Sequence, residues 1–149
     1  MTQTIARTSL YESDLLVWTE DTIAKLRAKD FDHVDLDNLI EELESLANRD
    51  RQEVENRLIR LIEHILKRCY VKMPNDFRGW EVTIFGQRDR LKRKLKQSPS
   101  LKQHLLNSFD DCFASALQSV RIGYPQDQIP DTWQFEGDIE TILNAIFWE

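Results

Sequence analysis

"VENRLIRLIEHILKRCY", Val54 to Tyr70, is the stretch that decides the fold. Val54, Leu58, Leu61, Ile62 and Ile65 recur at three- and four-residue steps, the period of one helix face rather than the two-residue alternation of a strand. Toward the N-terminus, Leu36, Leu39, Ile40, Leu43, Leu46 and Ala47 form a second apolar stripe, which reads as a core-facing side. Asp35 stands before it as an acceptor for the first free N–H groups of a helix. Between the stripes lies "NRDRQE", Asn48 to Glu53, six polar residues in a row. A continuous helix exposing a turn and a half accommodates that run. So does a break at Asn48, a residue type that tolerates the left-handed C-cap conformation. Of the two, the break is preferred, giving helices over 35–48 and 50–72.

The flanking segments are also helical. Residues 1 to about 9 are polar and are expected to fray. Tyr11, Leu15, Trp18, Thr22 and Leu26 predict a helix from about Glu12 to Ala28, with Ser13 or Asp14 as its cap. Pro74 ends the central segment. Another helix is predicted from about Asp76 to Gln97, with Phe77, Trp80, Ile84, Leu91 and Leu95 on one side. Ser98 and Pro99 suit the cap and first position of the next, which reaches about Ile122 and ends at Gly123. "YPQDQIPDTW" is a stiff loop, and "GDIETILNAIFW" is a last helix with Ile139, Ile142, Leu143, Ile146 and Phe147 facing inward. The predicted class is all-α, a single-domain bundle of five to six helices over residues 1–149 with a long central helical segment.

With 149 residues and 41% apolar side chains, the chain can bury a core without a disulfide or a structural metal. Cys69 and Cys112 have no CxxC spacing and read as semi-buried thiols of a reducing compartment. A formal net charge of −6 argues against general nucleic-acid binding, because phosphate repulsion has to be overcome locally. No apolar run has the length of a signal peptide core or a membrane span, so a cytoplasmic protein is expected.

Glu41, Glu42 and Glu44 sit on a helix, and carboxylates in a bundle invite a di-metal reading. That chemistry wants a Glu-x-x-His step, whereas Glu63 and His64 are adjacent and three residues to either side of His64 are Leu61 and Lys67. No metal and no cofactor is therefore expected. Arg57 precedes His64 by seven residues, an Arg-x(6)-His spacing that resembles the motif of HEPN ribonucleases, where the arginine steadies phosphate and the histidine moves a proton. The competing reading of His64 is an imidazole at the core edge that donates to a carboxylate or carbonyl. "RDRLKRKLK", Arg88 to Lys96, is strongly basic and mostly solvated, or else docks phosphate or an acidic partner. Arg88 falls on the line of Trp80, Ile84, Leu91 and Leu95, which points it inward. A buried guanidinium needs a partner, and Glu41, Glu42 or Glu55 is expected to supply it, at about 3–5 kcal/mol for removing Arg88.

The chain resembles a mostly bacterial family called domain of unknown function 29. The matching pieces are "YESDLLVWTEDTIAKLR", "DLDNLIEELESLANRDRQEVENRLIRLIEHILK", the step Trp80, Ile84, Arg88, then "SPSL" and "YPQDQIPDTW". What the resemblance implies is an all-α fold with no assigned activity. The family's pattern falls on Asp14, Trp18, Glu41, Glu42, His64, Trp80 and Arg88. Members often have Gly where Asn48 stands, a departure that bears on the helix break.

The leading expectation is a protein-interaction or adaptor module, binding another protein or itself as a homodimer. A polar cluster of Glu41, Glu42, His64 and Arg88, lined by Trp18 and Trp80, would hold its helices in register. The alternatives are a small-ligand binder that uses that cluster, and a HEPN-like ribonuclease that uses Arg57 and His64.

Overall fold

The structure, a computed structural model, describes residues 9–149. It is all-α, with no strand among the described residues. The helices are α1 (Leu10–Ser13), α2 (Leu15–Arg27), α3 (Leu36–Tyr70), α4 (Phe77–Gln97), α5 (Leu101–Gly123) and α6 (Ile139–Asn144), with 3₁₀ turns at Phe31–His33 and Pro74–Asp76. Two compact units divide the chain between Asn48 and Arg49, within α3. No helix is long and apolar enough to cross a membrane.

In the first unit, the single helix predicted from Glu12 is two helices jointed at Asp14. The Asp14 backbone is extended (φ −154°), its N–H closes α1 on the Leu10 carbonyl, and its carboxylate accepts from the Val17 N–H at 3.1 Å to open α2. A short acidic side chain offers the backbone an alternative to helix, and here it wins. Ser9 caps α1 by accepting from the Glu12 N–H; the rest of the expected frayed segment lies outside the described residues. α2 ends through Lys29, whose φ of 59° is left-handed. The Asp30 N–H reaches back to the Lys25 carbonyl at 2.9 Å, satisfying one of the helix's last acceptors. Asp35 then caps α3 as predicted, accepting from the Asn38 N–H at 3.3 Å and from its amide at 2.7 Å.

Burial in this unit is sparse. Among its described residues only Trp18 and Thr22 are buried, with Tyr11 edge-on to Trp18 at 4.9 Å. The apolar stripes predicted to face a core are largely open. Leu15 and Leu26 on α2 are exposed, and so are Leu36, Ile40, Leu43 and Leu46 on α3.

The second unit holds the main core. α3 runs unbroken through Asn48 and the polar run, so the preferred break is overturned. Ion pairs along one side of the helix occupy that run: Lys94 Nζ lies 3.1 Å from Asp50 Oδ1 and 3.4 Å from Glu53 Oε1, and Arg57 Nε lies 3.0 Å from Glu53 Oε2. Beyond it, Val54, Leu58, Leu61, Ile62, Ile65 and Leu66 are buried in a cluster with Ile84 and Leu91 of α4, Leu105 and Ala116 of α5, and Ile142 of α6. α5 starts at Leu101, with Pro99 in the turn before it, where the Leu101 and Lys102 N–H groups bond the Ser98 and Pro99 carbonyls. α6 is shorter than predicted: Asp138 caps it by accepting from the Thr141 N–H, and the chain turns extended at Ala145. Ile146 therefore points to solvent, while Phe147 and Trp148 pack on the core. Cys112 is buried and Cys69 half-buried; both are free thiols, and burial pushes each up to about 11.

Candidate functional site

The polar residues singled out by sequence have separate partners. In the first unit, Glu41 is exposed, and Glu42 accepts from the Tyr11 hydroxyl at 2.6 Å. That bond, ahead of burial, pushes the phenol up to about 12. Trp18 belongs to the same small cluster through its contact with Tyr11.

In the second unit, His64 is buried and its Nδ1–H donates to the Arg60 carbonyl at 2.8 Å, one helical turn back. Burial lowers its pKa, against the opposing pull of that carbonyl, so the ring is neutral at pH 7. It is the satisfied imidazole of the simpler sequence reading.

Arg88 points inward as predicted, but its partners are not carboxylates. Its Nε–H donates to the Ile142 carbonyl at 3.0 Å and its Nη2–H to the Ala145 carbonyl at 2.6 Å, with the guanidinium 5.8 Å from the Phe147 ring centre. The expected Arg88–carboxylate pair is corrected on a physical ground. The last carbonyls of α6 have no partner within the helix and carry the negative end of its dipole, so a cation is well placed there. Glu55, the other carboxylate considered, is held by His104 Nε2 at 2.7 Å. Trp80 is buried between Phe77 and Tyr124, with the Lys67 ammonium 5.7 Å above its ring. His64 and Arg88 thus serve a helix turn and a helix end respectively, not one shared polar knot.

Arg57 lies elsewhere again. It borders a groove of ≈510 Å³ together with Arg49, Arg60, Gln52 and Asn56. His64 does not line this groove, so the Arg57–His64 pair of the nuclease reading does not meet in it. Sequence reasoning missed the groove because it took Asn48–Glu53 for a helix boundary. The signal was present: Arg49, Gln52, Asn56 and Arg60 recur at three- and four-residue steps.

A second feature is the open apolar side of α3 in the first unit. Leu36, Ile40, Leu43 and Leu46 are each more than half exposed. Asp37, Glu41 and Glu44, also exposed, follow the stripe one position on. Residues 1–48 hold 11 acidic and 4 basic side chains, a net charge of −7, while residues 49–149 hold 15 and 16, a net charge of +1. The chain's net negative charge therefore belongs to the unit with the open leucines. Among the described residues no group of three or more His, Cys, Asp or Glu side chains is placed to hold a metal ion.

No curated protein and no solved structure matches the chain. The sequence profile of one family does match, over residues 10–148 and so almost the whole length. By that match the chain belongs to the family described as domain of unknown function DUF29.

Proposed function

We propose that the protein is an interaction module whose first unit docks a basic, amphipathic segment of another protein. The observation that carries this reading is the exposed stripe Leu36, Ile40, Leu43 and Leu46 with its acidic border. Large apolar side chains left open in a row favour a covering partner, since burying each contributes about 1.5–3 kcal/mol. The acidic border selects the partner's charge: a basic rim is attracted and oriented, an acidic one repelled. Pairing of the same face across a two-fold axis would set −7 against −7, which disfavours a symmetric homodimer through this surface.

A photo-crosslinking residue placed at position 43 of the full chain, in its native cells, tests the proposal. The expected result is one discrete adduct with a basic, amphipathic segment of a second protein, lost on Ile40→Ser. No adduct, or a smear insensitive to Ile40→Ser, overturns the reading. An adduct that sequences as this chain overturns the separate-partner form of it.

A further inference from the structure

Gln87 is buried on the side of α4 that otherwise presents Trp80, Ile84 and Leu91. A carboxamide in such a place needs a hydrogen-bonding reason. Its Oε1 accepts from Arg57 Nη1–H at 3.3 Å, while Arg57 Nε–H donates to Glu53 Oε2 at 3.0 Å. Two of the five guanidinium N–H groups are thereby fixed, and three remain to meet a ligand. Glu53 also borders the groove; its other oxygen is 3.4 Å from Lys94 Nζ, which Asp50 shares at 3.1 Å, so these two carboxylates balance Lys94 and Arg57 and the groove's net positive charge comes from Arg49 and Arg60.

Arg57 is thus a positioned guanidinium, aimed by a buried amide from a neighbouring helix. Around it, Arg49 and Arg60 bring two more cations, and Gln52 and Asn56 bring amide donors. Guanidinium groups bind phosphate oxygens through paired N–H bonds. Arg60 follows Arg57 by about 4.5 Å along the helix axis, and Arg49 precedes it by about 12 Å, at the usual 1.5 Å rise per residue. A single phosphate uses only the Arg57–Arg60 end. A ligand that also reaches Arg49 needs a chain of anionic groups.

We infer that the groove beside α3 in the second unit binds an oligophosphate chain, free or carried on a nucleoside, with Arg57 as its positioned anchor. The volume of ≈510 Å³ is within the range of small-molecule sites.

Calorimetric titration of the full chain at low salt, with inorganic tripolyphosphate and separately with adenosine triphosphate, tests this. One saturable site is expected, weakened at least tenfold by Arg57→Gln and by Arg60→Gln. Arg93→Gln, on α4 and paired with Asp89, should leave it unchanged. Arg60 is exposed, so its variant keeps the test valid if Arg57→Gln fails to fold. Equal affinity for the two ligands assigns recognition to the phosphate chain; tenfold tighter binding of the nucleotide assigns it to the nucleoside form. Absence of saturable binding, or equal weakening by Arg60→Gln and Arg93→Gln, overturns the inference.

Discussion

At the scale of single residues, three side chains make separable predictions. Arg88 ties the end of α6 to α4 through two charge-assisted bonds. Such bonds contribute about 1.5–3 kcal/mol each, so Arg88→Ala should cost about 3 kcal/mol once some water access is allowed for. That corresponds to a fall in Tm of about 6–12 °C for a chain of this length. An unchanged melt would remove the clamp from the fold's account. Lys29 occupies a left-handed position where its Cβ is crowded, and Lys29→Gly should raise the urea midpoint by about 1 kcal/mol equivalent. A lower midpoint would mean that the turn at Lys29 is held by something other than its backbone. For His64, burial lowers the folded-state pKa below the unfolded value of about 6.5. The unfolded chain then binds the proton first as pH falls. His64 therefore adds stability above about pH 6.5 that is lost on acidification through the folded pKa. His64→Leu should flatten the pH dependence of the urea midpoint between pH 7.5 and 5 while leaving neutral stability within about 1 kcal/mol. Parallel curves for the two proteins would contradict the assignment.

At the scale of elements, helix existence was legible and helix ends were less so. The 3.6-residue period of Val54–Ile65 and the start at Asp35 were readable because apolar spacing and a capping carboxylate are local signals. The continuity of α3 was not readable, because Lys94 on α4, far along the sequence, supplies the ion pairs that settle Asp50 and Glu53. The inward turn of Arg88 was visible in the helical spacing, but its partners were not: carbonyls at a helix end have no signature in side-chain identity. The exposure of Leu36, Ile40 and Leu43 was misread for a related reason, since periodicity reports that a face is apolar and not that anything covers it. Hydrogen exchange checks the continuity of α3. Amides 48–53 should be protected well beyond those of the loop at 125–137, and exchange at the loop's rate would restore the break at Asn48.

At the scale of the whole molecule, burial is unevenly shared. The second unit contains the large core cluster, while the described part of the first buries Trp18 and Thr22. Local stability follows buried apolar contact. Amides of α2 should therefore exchange by a lower-energy opening than amides 58–66 of α3; matched protection across both would show that the first unit draws its stability from elsewhere. The two cysteines carry a consequence of a different kind. Both thiols stay protonated at neutral pH, one shielded completely and the other in part, so they are slow nucleophiles. A single cysteine engineered on the open leucine stripe should thus accept a maleimide dye selectively with Cys69 and Cys112 left in place, making the native chain its own background for fluorescence work.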